Sequence, residues 1–108
     1  SADPSIDGIL AAGPHVCAAA NKAIKDVGAD VHLACFDMSD DVTAMLRSGD
    51  ASFTIAPQQR LQGYMPIIVL HLYNTNAGML PGDNIPSGPG FVDKSNASAV
   101  ASQAGVNR

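Results

Sequence analysis

The chain has 108 residues, a formal net charge of −4 and two cysteines, which fits one domain or a part of one. Hydrophobic residues make up 46% of it and charged residues 15%, so a core can form and bulk disorder is excluded. The acidic excess and six scattered cations exclude a nucleic-acid partner, because neutralising phosphates requires clustered lysine and arginine.

Strands and helices alternate along the first half of the chain. Residues 6–11 are predicted to form a short apolar strand, and a helix then begins at Pro14 and ends at the stop signal Gly28. Residues 31–36 form an almost continuously apolar second strand, as is typical of parallel strands that are buried on both faces.

A second helix follows, with Ser39 as its N-cap and Gly49 at its end. Residues 52–56 read as a third strand. Helical spacing and length favour a third helix over residues 60–76, although part of it would also suit a strand. Pro66 must then lie in the first turn or produce a kink.

The last part of the chain is rich in turn residues. Residues 78–90 hold five glycines and three prolines and are predicted to be loop. A short strand is expected at 91–92, and the tail, residues 93–108, is expected to be a weak helix or disordered. Three successive strand–helix units predict an α/β fold with a parallel sheet and helices on both of its faces.

Ligands of open α/β sheets bind beyond the carboxyl ends of the strands. The three strand-to-helix junctions at this edge are Gly13-Pro14-His15, Asp37-Met38-Ser39 and Pro57-Gln58-Gln59-Arg60. The carboxylate of Asp37 can accept hydrogen bonds from two hydroxyls, and the amides of Gln58 and Gln59 can donate and accept. This chemistry suits a polyol better than a phosphate, which requires a glycine-rich nest or a cation. A helix-capping or turn role for Asp37 is the alternative.

The cysteines and histidines do not predict a metal site. His32 and Cys35 point to opposite faces of a strand, and His15 and Cys17 diverge around a helix. Cys17 and Cys35 can pair or remain free, and the sequence leaves both possibilities open. We expect no metal, no cofactor and no enzymatic activity, with a cysteine nucleophile at Cys17 as an alternative.

Four stretches in a consistent order carry a family resemblance. They are the strand opening Asp3–Ala11, the strand end Phe36-Asp37-Met38-Ser39, the helix opening Gln62-Gly63-Tyr64-Met65-Pro66, and the closing segment Ser87–Ala97. Together they resemble the type I periplasmic sugar-binding proteins of ABC importers, of the ribose and galactose kind. The match covers the later part of the C-terminal lobe, so residues 1–108 are interpreted as one partial ligand-binding lobe.

The resemblance implies two α/β lobes that close on a sugar and present it to a membrane permease in the periplasm. The N-terminal lobe would then lie outside this sequence. Asp37 matches the strand-end aspartate that accepts sugar hydroxyls, and the family's next glutamine contact falls at Pro57 or Gln58. Gly13 stands where the family often has Asn or Asp, so that contact is lost or is taken over by His15.

Two other functions remain as alternatives. The effector-binding domain of a LacI-type transcription regulator shares this fold, and a cysteine-dependent enzyme is the second alternative. A partial lobe would also expose a strand edge, which predicts a dimer formed through that edge or marginal folding.

Overall fold

Strands and helices alternate in the computed structural model, which describes residues 3, 5–80, 82 and 84–103. In chain order the described elements are β1 (Gly8–Ala11), α1 (Pro14–Val27), β2 (His32–Phe36), α2 (Asp40–Ser48), β3 (Phe53–Ala56), α3 (Gln59–Thr75), β4 (Gly90–Asp93) and α4 (Ala97–Gln103). The strands and helices predicted from residue periodicity are confirmed, with ends that differ by one or two residues.

The strands form one sheet in the order β1-β2-β3-β4. β1, β2 and β3 are parallel, as the three strand–helix units predict, while β4 is antiparallel to β3. Cys35 in the middle of the sheet lies between Ala11 and Thr54, and Thr54 in turn pairs with Val92. The carboxyl ends of β1, β2 and β3 therefore meet at one edge.

The core lies between one face of the sheet and a layer of three helices. α1 packs against β1 and β2, α2 packs against β3, and α4 packs against β4, while neighbouring helices of the layer also contact each other. The sheet face beneath them is buried and carries Ala11, Leu33, Cys35, Thr54, Ala56 and Val92. Val42 and Leu46 supply the buried stripe of α2.

The described residues leave the opposite face of the sheet largely uncovered. Its apolar side chains Leu10 and Phe91 are about 60% exposed, and Phe91 contacts Phe53 edge-on at a ring distance of 5.7 Å. Helices on both faces were predicted. Among the described residues, the helices that pack on the sheet occupy one face, because α3 does not return to the other.

The signals at the ends of α1 and α2 are confirmed. Pro14 begins α1, and Gly28 ends it in the left-handed conformation with φ 63°. The hydroxyl of Ser39 accepts a hydrogen bond of 3.1 Å from the backbone N–H of Val42, which satisfies one free donor at the start of α2.

α3 and the segment after it differ most from the prediction. None of the residues of α3 is buried, and Pro66 lies inside the helix, beyond its first turn. In the predicted tail, residues 97–103 form α4, and Ala97 is fully buried against the core. Residues 104–108 lie outside the described part of the chain. Within that part, no helix has both the length and the hydropathy that crossing a bilayer requires.

Candidate functional site

Three strand-to-helix junctions line one edge of the sheet, and each turns through a residue with positive φ. These residues are Gly13 after β1 (φ 147°), Asp37 after β2 (φ 69°) and Gln58 after β3 (φ 57°). Glycine adopts this region freely and aspartate does so more readily than most residues, whereas glutamine is uncommon there. We call the edge of the sheet that carries these three junctions the rim.

Asp37 is the best-defined group of the rim. Its backbone N–H donates to the carbonyl of Ile55 at 2.8 Å, and its own carbonyl accepts from the hydroxyl of Thr54 at 2.7 Å. Both partners belong to β3, so the strand beside β2 fixes the backbone of Asp37. The left-handed turn then directs its half-buried side chain to the rim.

Gln59 holds the carboxylate of Asp37. The side-chain amide of Gln59 donates from Nε2 to Asp37 Oδ1 at 3.0 Å, across 22 residues of sequence. Asp37 Oδ2 has no hydrogen-bond partner among the described residues. An ionised carboxylate offers about four acceptor sites. The side chain is therefore oriented by one amide and still has room to accept hydroxyl donors.

Gln58 and Gln62 form a second group beside the first. Gln58 donates from Nε2 to the carbonyl of Ser87 at 2.6 Å, while Gln62 donates to the carbonyl of Pro57 and to the hydroxyl of Ser87. Of the two glutamines predicted for the site, the structure therefore joins Gln59 to Asp37. It directs Gln58 towards the loop that leads to β4.

Gly13 and His15 are at the rim but apart from this hydrogen-bonded group. Gly13 precedes α1, and the exposed His15 lies in its first turn. Within the described residues, His15 forms no hydrogen bond with Asp37 or Gln59. The structure thus places all five predicted residues at the same edge and brings two of them into contact.

Cys17 and Cys35 form a disulfide with a Cα–Cα distance of 5.6 Å, which lies in the usual range. Both residues are fully buried between α1 and β2. The sequence alone did not establish whether these two cysteines pair or remain free. The packing of α1 on β2 brings them together, and they pair. A paired Cys17 has no thiolate to act as a nucleophile. No group of three or more potential metal ligands occurs in the described part of the chain.

Solved structures share this arrangement of strands and helices. A carbohydrate transporter from Acidothermus cellulolyticus, solved in complex with myo-inositol, matches 95% of this chain at 38% sequence identity, with a TM-score of 0.83. The chain has the fold of part of a type I periplasmic-binding-protein lobe. It also resembles a carbohydrate-transporter solute-binding protein from Agrobacterium radiobacter, solved with D-arabinose, over 98% of its length at 24% identity and a TM-score of 0.73.

The periplasmic-binding-protein lobe matches only a part of these relatives. It spans 36% of the length of both transporter proteins. A LacI-regulator candidate from Bacteroides fragilis shares the fold at 20% identity and a TM-score of 0.68, over 89% of this chain and 33% of its own. No protein-family model and no curated protein matches the sequence. The resemblance to sugar-binding proteins of ABC importers, inferred from four short stretches, is confirmed.

Two residues of this lobe that support the site were not predicted. Thr54 is fully buried and holds the carbonyl of Asp37, and Ser87 receives the amides of Gln58 and Gln62. The alternation of residues in β3 places Thr54 on the buried face, where a hydroxyl needs a partner. The alternation could therefore have predicted a supporting role for Thr54. No pattern in the sequence around Ser87 predicts its hydrogen bonds to the glutamines.

An open cavity of about 400 Å³ lies beside the rim, between α3 and the loop that leads to β4. Its lining is mainly apolar, from residues such as Leu61, Met65 and Ile85, and its polar side chains belong to Gln62 and Ser87. Asp37 and Gln59 do not line it. A polyol needs hydrogen-bonding groups around it, so the rim suits such a ligand better than this cavity does.

Proposed function

We propose that this lobe contributes part of the binding site of an extracytoplasmic solute-binding protein, which takes a sugar or cyclic polyol to the permease of an ABC importer. The observation that carries the proposal is the carboxylate of Asp37. It lies at the carboxyl edge of a parallel sheet, is oriented by Gln59, and has one oxygen open to a ligand. Neighbouring hydroxyls of a polyol can donate to such a carboxylate in pairs.

The ligand class is inferred from this chemistry together with the relatives. The relative at 38% identity was solved with myo-inositol, and the one at 24% identity was solved with D-arabinose. Both compounds present rings of adjacent hydroxyls and no charge. The three junctions also carry Ser39 and Arg60, so the choice of an uncharged ligand rests on the relatives and on the open oxygen of the Asp37 carboxylate.

The disulfide supports an extracytoplasmic location. Disulfides persist in oxidising compartments such as the periplasm, whereas the cytosol keeps thiols reduced. A periplasmic-binding-protein lobe that acted as the effector domain of a LacI-type regulator would work in the cytosol. The Cys17–Cys35 bond therefore favours the transport function over the regulatory one.

Because this lobe spans about a third of the length of its relatives, the remaining contacts to a ligand are assigned to an N-terminal lobe. Closing two lobes buries most of a ligand's surface. A site open on one side binds weakly, and we expect a Kd of about 1 mM or higher for myo-inositol with this chain.

Chemical-shift titration of the ¹⁵N-labelled chain with myo-inositol tests the proposal, because it detects millimolar binding. Shifts are expected at the amides around Asp37 and Gln59. Asp37→Asn is the sharpest variant, since asparagine tolerates φ 69° while alanine would add backbone strain. Replacing a charged acceptor with a neutral one should weaken binding about tenfold.

Asp41→Asn provides the matched control. Asp41 is an exposed carboxylate in the first turn of α2 and belongs to none of the three junctions. Its replacement should leave myo-inositol binding unchanged. If Asp37→Asn binds as well as the unsubstituted chain, or if Asp41→Asn weakens binding as much, the site is not at Asp37.

A further inference from the structure

The buried disulfide joins two of the three junctions of the rim. Cys17 lies in the first turn of α1, three residues after Pro14, and Cys35 lies in β2, two residues before Asp37. One covalent bond therefore connects the junction that contains Gly13 and His15 with the junction that contains Asp37.

Hydrogen bonds extend this connection on the side of β1. The N–H of Gly13 donates to the carbonyl of Ala11 at 2.9 Å, and the N–H of Cys17 donates to the carbonyl of Gly13 at 2.9 Å. Ala11 in turn is the register partner of Cys35. The chain from Ala11 to Cys17 thus forms a closed turn against β2, which the two sulfur atoms fasten.

On its other side, the junction that contains Asp37 is connected by hydrogen bonds to β3 and to the start of α3. Thr54 and Ile55 bind its backbone, and Gln59 binds its carboxylate. No hydrogen bond connects His15 with Asp37 or Gln59 within the described residues. The Gly13–His15 junction is therefore held beside Asp37 by the pairing of β1 with β2, by the packing of α1 on both strands, and by the disulfide as the one covalent link among the described residues.

We propose that the Cys17–Cys35 disulfide positions the Gly13–His15 junction against Asp37, so that the oxidised lobe binds a polyol better than the reduced lobe. This inference rests on the proposed function and adds a redox requirement to the same site. Neither cysteine touches the ligand; both are positioning residues. Pre-organising a site raises affinity, because less ordering remains to be done when the ligand arrives.

The redox step is a thiol–disulfide exchange with a dithiol. The reductant's two thiols become a disulfide, and their two electrons and two protons convert the Cys17–Cys35 bond into two thiols. Because both sulfurs are buried, the exchange requires an opening of the α1–β2 contact. The binding-competent form is consequently completed in an oxidising compartment and is slow to revert.

The test compares myo-inositol titrations of the oxidised chain, the chain reduced with dithiothreitol, and the double variant Cys17→Ala/Cys35→Ala. Alkylation and mass spectrometry confirm that two thiols are present in the reduced sample. We expect the Kd for myo-inositol to rise about tenfold in both disulfide-free forms, measured well below their melting temperatures. If the double variant does not fold, the Kd of the reduced chain is compared with that of the oxidised chain.

Leu46→Ala separates positioning from simple loss of stability. Leu46 is fully buried in α2 and belongs to none of the three junctions. This variant should melt at a lower temperature and keep the Kd of the oxidised chain. Unchanged affinity in both disulfide-free forms, or an equal loss of affinity in Leu46→Ala, would overturn the positioning role.

Hydrogen exchange gives a readout that does not need a ligand. Reduction should accelerate exchange of the amides of Gly13 and Cys17 more than that of Gly49, whose N–H donates to the carbonyl of Met45 at the far end of α2. Uniform acceleration of all three amides would contradict the proposal. If the oxidised chain shows this local pattern but no shifts with myo-inositol, the proposed ligand class fails, and the mechanical link between the junctions stands.

Discussion

The amide nitrogen Nε2 of Gln59 lies 3.0 Å from Oδ1 of Asp37, although 22 residues separate them in the sequence. Each residue belongs to a different strand-to-helix junction. Gln59 is the first residue of α3, and Asp37 follows β2 in a left-handed turn. The hydrogen bond joins two neighbouring junctions and orients the carboxylate that we assign to ligand binding.

Removing this amide should weaken myo-inositol binding without abolishing it. In Gln59→Ala the carboxylate of Asp37 keeps its charge but loses the group that orients it. We expect the Kd in the chemical-shift titration to rise about threefold to tenfold, as one lost hydrogen bond predicts. Gln62→Ala is the control, because Gln62 bonds to Pro57 and Ser87 instead. A larger effect from Gln62 than from Gln59 would contradict this assignment.

Thr54→Val should destabilise the fold through the backbone of Asp37. The hydroxyl of Thr54 is fully buried and donates to the carbonyl of Asp37, and valine has nearly the same shape without the donor. We expect urea unfolding to show a loss of about 1–2 kcal/mol. Thr75→Val, which removes an exposed hydroxyl at the end of α3, should change stability by less than about 0.5 kcal/mol. Equal losses in the free energy of unfolding for the two variants would show that the buried hydrogen bond of Thr54 stabilises the fold no more than an exposed one.

The ion pair of Lys25 with Asp50 predicts a pH dependence of stability. Nζ of Lys25 lies 2.6 Å from Oδ2 of Asp50, and the hydrogen bonds from Lys25 and Ser48 lower the pKa of Asp50. A pKa that is lower in the folded state stabilises the fold above the unfolded pKa of about 4, and this contribution disappears as the pH falls through the folded value. Since the Lys25 side chain is 56% exposed, we expect about 0.2–1 kcal/mol.

Unfolding in urea at two pH values measures this contribution. Asp50→Asn should be less stable than the unsubstituted chain at pH 7, and the gap should narrow as the pH falls below the unfolded pKa of about 4 and through the lowered folded value. Asp30→Asn, in the exposed turn after α1, should show no such gap. A gap that persists in acid would mean that the asparagine acts through packing and not through charge.

The open edge of β1 predicts self-association. Among the described residues β1 is the last strand on its side of the sheet, and its Leu10 is 62% exposed. Unpaired strand edges recruit other strands, and lysine on an edge strand suppresses such pairing. Leu10→Lys should therefore shift the chain towards monomer in sedimentation velocity. Val27→Lys, at the exposed end of α1, should leave the association unchanged. A chain that is monomeric at every concentration would contradict the dimer predicted from the sequence.

Much of the architecture could be predicted from the sequence because its signals are local. Ser39, Gly28 and the apolar stripe of α2 act within one or two helical turns, so residue spacing identifies them. The strand-end position of Asp37 is local in the same sense. The uncovered sheet face and the path of α3 could not be predicted, because they depend on which surfaces are available for packing.

By itself the sequence determined the order of the elements, the helix ends and the edge of the sheet at which the polar junctions meet. Only the tertiary structure decided that Gln59 reaches Asp37 while Gln58 turns to Ser87, that Cys17 pairs with Cys35, and that Thr54 holds the Asp37 carbonyl. These contacts join residues 17 to 29 positions apart. Such residues come into contact only when the register of the sheet and the packing of the helices are fixed. Helix caps and hydrophobic periodicity depend only on residues within one or two turns, so they can be recognised in the sequence.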